Sequence, residues 1–335
     1  MTTDSSLADA IGQSANKGFV RWLVSRQVFW IFVATAAAII IMSIARPDSF
    51  PSSQNIFNVT RNFAFVGIIA IGMTAVIITG GIDLSVGGTM LIGAMVTAVL
   101  MNSGMPVVPA FAIAMAASIL VGLINGVFIA VIGLPPFVVT LGMMAVSRSM
   151  GLVISNNRLI FEFGPDQKIL TDIGGGNLWG VPSEVYILVV LMILMGFAFR
   201  WTKWGRHVFA IGGNEKAAIL TGVPVKTVKV SVYVLAAFFA GLAGWLQLGW
   251  LGSAATSMGV GMELTVIAAA VIGGANLAGG SGTAFGAVIG AALIEVIRNS
   301  LILLGISTFW QGTFVGTFIV LAVAFDKLRN KDTSE

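Results

Sequence analysis

The chain has 335 residues, of which 57% are hydrophobic and only 10% are charged, and its mean hydropathy is +0.98. An ordinary soluble domain carries about a quarter charged residues, so this composition argues against a soluble globular fold. Cysteine is absent, which excludes disulfide bonds, thiol catalysis and thiolate metal sites.

The few charges are unevenly distributed along the chain. No Asp, Glu, Lys or Arg occurs between Leu84 and Ser147. At roughly 20 residues per membrane-spanning helix, this stretch alone can cross a bilayer about three times. The sequence therefore predicts an all-α polytopic membrane protein.

Basic residues form three patches beside the apolar runs. A net charge of +4 and a pI near 9.6 would also suit a nucleic-acid-binding protein, but the basic residues cluster at residues 17–26, 200–229 and 327–331. Lys and Arg beside short loops mark the cytoplasmic side of a membrane. We therefore expect no nucleic-acid partner, both termini in the cytoplasm, and a location in the bacterial cytoplasmic (inner) membrane.

Taken in chain order, the apolar runs predict about ten spans within a transmembrane permease domain of residues 28–325. A cytoplasmic segment, residues 1–27, precedes this domain, and a cytoplasmic tail, residues 326–335, follows it. The predicted spans are 28–45, 63–79, 86–101, 107–132, 137–155, 185–200, 230–249, 263–277, 283–304 and 308–325. The eighth is short for a full span. The loop 200–228 then lies in the cytoplasm, and Arg46, Arg61, Arg158 and Lys168 lie outside.

The segment "VIITGGIDLSVGGTML", residues 76–91, interrupts an apolar run with glycine pairs and a carboxylate. Gly80 and Gly81 free the backbone to leave the helix, and unwound backbone at membrane depth persists only inside protein or against a water-filled cavity. Asp83 is then a functional candidate in a gate. It is alternatively an N-cap for the next helix, and the two roles are compatible.

A faint internal repeat relates residues 80–94 to residues 273–287, and it pairs Asp83 with Asn276. Glycine-interrupted segments in corresponding positions mark the transport pathway in many transporters, although convergent packing of small residues also explains the match. The residues assigned to the pathway or gate are Gly80, Gly81, Asp83, Ser85, Asn125, Phe137, Thr140 and Asn276. For Asn125, Thr140 and Asn276, the alternative is that they hold helices together.

Two further polar features fall inside apolar spans. Glu295 and Arg298 are three residues apart on one helix and are predicted to pair with each other. Arg148 has no obvious partner in the sequence. No Ser/His or metal-binding constellation accompanies them, so an intramembrane enzyme finds no support.

The cytoplasmic loop contains "AIGGNEKAAILTGVPV", whose centre, Asn214 to Gly222, is predicted to form a short amphipathic helix. A cytoplasmic loop needs an apolar face only if it docks onto something, either another protein or the membrane surface. The spacing Glu215-x-Ala217-Ala218-x-x-x-Gly222 resembles the coupling loop of bacterial ABC importer permeases.

The fuller loop resembles that of the ribose-type sugar permeases of that class. Three further stretches resemble the same family: "GMTAVIITGGIDLSVGG", "NGVFIAVIGLPPFVVTLGMM" and "GMELTVIAAAVIGGANLAGGSGT". This family includes the ribose, arabinose, xylose and autoinducer-2 permeases, and the match covers most of residues 60–325. The resemblance implies a coupling helix from Gly212 to Gly222 that is seated on a separate ATPase subunit. The coupling residues carried over are Gly212, Gly213, Asn214, Glu215, Ala217, Ala218 and Gly222.

The resemblance also implies an ABC importer permease fold, a second permease subunit (identical or a paralogue), a substrate-binding protein and a monosaccharide or polyol substrate. The chain has no GxxxxGK[ST] motif, so ATP and Mg²⁺ are expected on the partner ATPase, with no cofactor in this chain. Two alternatives stay open. An ABC permease for branched-chain amino acids is the nearer one, and an ion-coupled secondary transporter would need paired carboxylates in mid-membrane.

Overall fold

The computed structural model describes residues 27–307 and, beyond them, residues 310, 312–313 and 316–317. Within this part of the chain the fold is helical apart from a two-residue hairpin, β1 (Asn177–Leu178) with β2 (Val181–Pro182). The helices are α1 Gln27–Ala45, α2 Ser53–Ile78, α3 Val86–Asn102, α4 Val107–Val127, α5 Pro136–Ile154, α6 Gln167–Gly174, α7 Ser183–Trp201, α8 Lys203–Gly213, α9 Glu215–Leu220, α10 Val225–Leu251, α11 Met262–Ile272 and α12 Ala284–Leu303. A π-helical turn, Phe128–Ile132, extends α4.

Among the described residues, seven helices are long and apolar enough to cross a membrane: α1, α2, α4 with its π-helical extension, α5, α7, α10 and α12. Helices α3 and α11 are apolar but shorter. The predicted tenth span, residues 308–325, falls almost wholly outside the described residues, as do residues 1–26 and 326–335. The count of ten spans and the cytoplasmic placement of the termini therefore stay predictions.

Helix α2 lies at the centre of the bundle, and its sequence explains why. From Ala64 to Ile78 it is apolar or small on every side, and a helix without a polar face is stable only when it is surrounded by other helices. It packs against α7, α10, α11 and α12. Helices α1, α5 and α7 lie at the periphery and expose large apolar side chains, as expected for helices that face lipid.

Two ends of the bundle can be distinguished. At one end, called the α6 end here, Gly174 of α6 packs on Gly249 near the end of α10. At the other, called the α8–α9 end, α8 packs on the last turn of α2 and α9 packs on the start of α10. The predicted loop 200–228 is therefore mostly helical, because Thr202 caps α8 and Asn214 caps α9.

The predicted outer loop at residues 46–61 is wrong in its second half. Helix α2 begins at Ser53, because the hydroxyl of Ser52 accepts a hydrogen bond from the backbone N–H of Asn55. As a result Arg61 is a buried helical residue and not a surface charge. Its Nε lies 3.3 Å from Glu184 Oε1, its Nη2 donates to the carbonyl of Gly175 at 3.1 Å, and its guanidinium lies over the ring of Phe57.

Residues 156–183, between the fifth and sixth predicted spans, contain more structure than the water-facing loop expected there. It carries the amphipathic helix α6, whose Leu170 is buried, and the β1–β2 hairpin. At the exposed surface of α6, the hydrogen bond from Lys168 to Asp172 raises the pKa of Lys168. This segment covers the α6 end of the bundle.

Candidate functional site

The first helix break separates α2 from α3 and comprises residues 79–85. Gly80 takes a left-handed conformation with φ 75°, and its N–H donates to the carbonyl of Ile77 at 2.8 Å. A side chain would strain this backbone conformation, so a glycine ends the helix here. The interruption predicted at the glycine pair is therefore present.

Asp83 lies within this break and is completely buried. Its Oδ1 accepts hydrogen bonds from the backbone N–H of Ser85 at 2.8 Å and from the Ser85 hydroxyl at 2.6 Å. The N-cap of α3 is Ser85, so the prediction that Asp83 is itself the N-cap is wrong by two residues. The reason is a turn before the helix: the carboxylate bonds to Ser85, whose own side chain makes no capping hydrogen bond.

Polar side chains from α4 and α5 complete this cluster. Asn125 Nδ2 donates to the Ser85 hydroxyl at 2.8 Å, and Thr140 Oγ1 lies 3.2 Å from the carbonyl oxygen of Ile82. Both side chains are fully buried. They therefore hold three helices together at the break, as one of the two interpretations predicted. Phe137, in the first turn of α5, is exposed.

The second helix break, residues 273–283, separates α11 from α12. Asn276 Oδ1 accepts a hydrogen bond from the N–H of Ala278 at 2.8 Å, which is the same bond, two residues forward, that Asp83 makes to Ser85. Gly274 takes the left-handed conformation here, with φ 96°. The faint sequence repeat thus has a structural counterpart, in which an amide replaces the carboxylate.

The end of α2, directly before the first break, touches the second break and α8 at one place. The N–H of Gly280 donates to the carbonyl of Ile78 at 2.9 Å. Gly212, in the last turn of α8, packs against both, and a Cβ there would overlap the Ile78 oxygen and the Gly280 nitrogen. We call Ile78, Gly212, Gly279 and Gly280 the glycine junction.

Sequence reasoning placed Gly212 in the coupling segment, and Gly80, Gly81 and Asn276 in the gate, as separate features. It did not predict that these segments meet, and it did not assign Gly279 or Gly280 to a site. The paired glycines were the available signal, since a missing side chain permits close backbone approach.

Helix α9 presents an apolar surface at the same end. Asn214 Oδ1 accepts a hydrogen bond from the N–H of Ala217 at 3.0 Å and so starts the helix. Ala218 is buried against the bundle, whereas Ile219 is 57% and Leu220 is 88% exposed. We call Ile219 and Leu220 the α9 apolar pair.

The predicted helix from Asn214 to Gly222 is present with tighter bounds, since α9 covers Glu215–Leu220. Gly222 follows it in the left-handed conformation, with φ 81°. Gly212 and Gly213 belong to α8, and the cap at Asn214 is the reason that one continuous coupling helix from Gly212 does not form. Glu215 is tied back to α10 by a 2.7 Å ion pair with Lys229.

Three further charged side chains in the spans, Arg148, Glu295 and Arg298, find partners. Arg298 lies 3.6 Å from Glu295, which confirms the predicted pair. Arg148 donates from Nη1 and Nη2 to the carbonyls of Thr256 and Met258, at 3.3 Å and 3.0 Å. Backbone carbonyls of a distant segment leave no trace in the sequence, so this partner could not be predicted.

The comparisons with known proteins agree with these features. Residues 55–323 match the family described as branched-chain amino acid transport system / permease component. The chain is 38% identical over 299 residues to the ribose import permease protein RbsC of Bacillus subtilis, which covers 89% of this chain and 92% of that protein. It is 33% identical over 331 residues to the L-arabinose ABC transporter permease protein AraH of Azospirillum brasilense, with 98% and 95% covered.

The chain belongs to the ribose-type ABC transporter permeases. The family predicted from the loop and the glycine-rich motifs is thereby confirmed. A further relative of this ribose-type permease, the probable ABC transporter permease protein YphD of Escherichia coli, is 36% identical over 333 residues, with 99% of this chain and 98% of that protein covered. No solved structure matches the chain. Family membership and the seven apolar helices together identify a multi-pass membrane protein.

Proposed function

We propose that this chain is the membrane-spanning permease subunit of a bacterial ABC importer that carries a monosaccharide or a related polyol. The relatives named for ribose and arabinose import support the substrate class. The observation that carries the mechanism is the glycine junction, where the α8–α9 segment touches the second break and the end of α2 directly before the first break. The importer works in the cytoplasmic (inner) membrane, with the α8–α9 end on the cytoplasmic side.

The α9 apolar pair supports a docking role. Two large apolar side chains, Ile219 and Leu220, project from a short capped helix and stay mostly exposed in the described chain. A groove on a partner ATPase subunit would bury them, and burial of such a pair contributes roughly 3–6 kcal/mol. ATP and Mg²⁺ are bound by that partner, and this chain hydrolyses no nucleotide.

Movement of α9 reaches the pathway through backbone contacts. Gly212 abuts the last carbonyl of α2 and the N–H of Gly280 without an intervening side chain. Because close-packed interiors transmit displacement with little slack, a push on the α8–α9 segment shifts the second break and, through the end of α2, acts on the first. Such a shift switches the pathway between outward-facing and inward-facing states.

The buried cluster at Asp83, Ser85 and Asn125 fits the closed state of a gate. In this conformation its side chains bond to one another and are shielded from water. Two permease subunits, identical or paralogous, would enclose one pathway. A substrate-binding protein would deliver the sugar to the α6 end.

A permease for branched-chain amino acids is the second candidate, because the matching family carries that description. An amino acid carries two charges, which would require fixed charges or helix ends along the whole pathway. The buried cluster offers a single carboxylate, and the permease relatives reported above are named for sugars where a solute is named.

The test is ATP-driven uptake in proteoliposomes that contain this chain, its ATPase and its binding protein. We expect uptake of D-ribose or L-arabinose, and at least a tenfold loss in Leu220→Asp, since a charge in the docking groove would stay unpaired. Lys203→Asp, an exposed change in the first turn of α8 at the same end, is the control and should keep wild-type uptake. Wild-type ATP-driven uptake by Leu220→Asp, or uptake that survives ATP depletion, would refute the proposal.

A further inference from the structure

Glu263 lies about halfway across the membrane. It is in the first turn of α11, whose eleven residues Met262–Ile272 span about 16 Å. The other end of α11 leads into the second break, which touches Ile78 at the α8–α9 end. Since the hydrocarbon core of a bilayer is about 30 Å thick, the carboxylate sits near its midplane.

The segment before α11, residues 252–261, reaches the same depth without forming a helix. A single bridge between Ile160 and Ala254 holds its beginning near the α6 end. Ser257 is exposed further along, and its hydroxyl forms no hydrogen bond with any described residue. Non-helical backbone at membrane depth is tolerated only inside protein or against water, so the exposed part of this segment faces a water-filled space.

Glu263 and Arg148 flank the first turn of α3 from two sides. A Cβ on Gly87 would lie 2.5 Å from Glu263 Oε2, and a Cβ on Gly88 would lie 3.3 Å from the backbone nitrogen of Arg148. This turn directly follows the first break. The two charged residues are thus beside the element that a moving gate displaces.

Neither charged side chain is buried, and neither neutralises the other. Both Arg148 and Glu263 are partly exposed. Glu263 forms no ion pair or hydrogen bond with any residue that the structure describes. Arg148 uses two of the five N–H donors of a guanidinium for backbone carbonyls. Charges in contact with lipid are costly, so these groups face the aqueous pathway.

The chemistry of the three side chains suits a hydroxylated solute. A carboxylate accepts hydrogen bonds from two neighbouring hydroxyl groups, a guanidinium donates to hydroxyl oxygens, and a serine hydroxyl does either. We propose that Arg148, Ser257 and Glu263 form a hydroxyl-binding site for the transported sugar, midway along the pathway. This inference rests on the proposed function and names residues outside the gate cluster.

The absence of cysteine in the chain provides a direct test, with single-cysteine variants of the reconstituted complex. A charged, membrane-impermeant methanethiosulfonate should label Ser257→Cys, and D-ribose supplied with binding protein and ATP should slow the labelling at least threefold. Ile193→Cys, exposed in the middle of α7, is the lipid-facing control and should stay unlabelled. Failure to label Ser257→Cys, or a labelling rate that D-ribose does not change, would overturn the proposed site.

Uptake by Glu263→Gln is the second measurement, because this variant preserves size and removes the charge. We expect at least tenfold slower uptake of D-ribose and a weaker preference over 2-deoxy-D-ribose, since a site built for hydroxyl groups discriminates by them. Glu162→Gln, an exposed carboxylate at the α6 end, should match wild type. Wild-type uptake and selectivity in Glu263→Gln would refute the site while leaving the importer intact, whereas absent ATP-driven uptake in the unmutated chain would refute the proposed function itself.

Discussion

The two helix breaks use the same turn in different surroundings. In the first, the carboxylate of Asp83 is fully buried and bonds to Ser85 twice. In the second, the amide of Asn276 is half-buried and makes one such bond, to Ala278. The first break is short and joined to α4 and α5 by side chains, and the second is longer and rich in glycine.

Because of this difference, we expect the two breaks to respond differently to a displacement of α8. The buried break has polar partners on two helices, α4 and α5, so its conformation is held by several bonds that must break together. The glycine-rich break has little side-chain support and derives its position from backbone contact with Ile78 and Gly212. A displacement of α8 should therefore move the second break first, and the buried cluster should yield only when the push is large enough.

The largest expected effect comes from Gly212→Ala, which inserts a methyl group between the end of α2 and the second break. We expect a loss of about 3 kcal/mol in the free energy of unfolding, at the upper end for overpacking, and loss of ATP-driven uptake. Gly213→Ala is the matched control, because a Cβ there has nothing within 4 Å, and it should be neutral. Unfolding in mixed micelles and uptake in proteoliposomes measure both. Equal stability of the two variants would contradict the contact at the junction.

A smaller effect is expected from substitution of Asp83 and Asn276, whose side chains accept the hydrogen bonds of the two turns. Asp83→Ala leaves the N–H and hydroxyl of Ser85 without their acceptor in a buried site, at a cost of about 2 kcal/mol. Asn276→Ala removes the acceptor of the Ala278 N–H, and because Ala278 is exposed this N–H can bond to water, so the change should cost under about 1 kcal/mol. The same unfolding measurement compares them. A cost for Asn276→Ala that equals or exceeds that of Asp83→Ala would show that the breaks are equivalent.

The smallest effect is expected at the N-terminus of α12, the helix that follows the second break. The hydroxyl of Thr283 accepts a hydrogen bond from the N–H of Gly286 at 3.0 Å and so caps α12, and Thr283→Ala should cost about 1 kcal/mol. Ser281→Ala, an exposed change two residues earlier, should stay within about 0.5 kcal/mol. If both variants unfold alike, the cap does not stabilise the glycine-rich break.

Much of the fold follows from local pattern. Apolar runs located α1, α4, α5, α7 and α12 closely, because a membrane-spanning helix must satisfy its backbone internally and cover itself with apolar side chains. The short eighth span was identified as unusual, and α11 is indeed a half-length helix. The motif around Glu215 located α9 and, with the glycine-rich stretches, the family.

The two errors have different causes. Local composition predicts an outer loop at Arg61 because its charge is unfavourable among apolar residues, but the distant residue Glu184 pairs with it and offsets the cost of burial. The motif predicts one short helix in the loop 200–228, whereas a local cap at Thr202 starts a further helix, α8.

The amino-acid sequence by itself determined that this chain is a multi-spanning α-helical permease and predicted a docking segment, since hydropathy and short motifs are local properties. The tertiary structure alone decided that Gly212 touches the end of α2 and the second break, that the polar cluster around Asp83 is buried, and that Arg148 and Glu263 flank the start of α3. These are relations between residues far apart in the chain, and only the packing of complete helices brings their atoms within reach of one another.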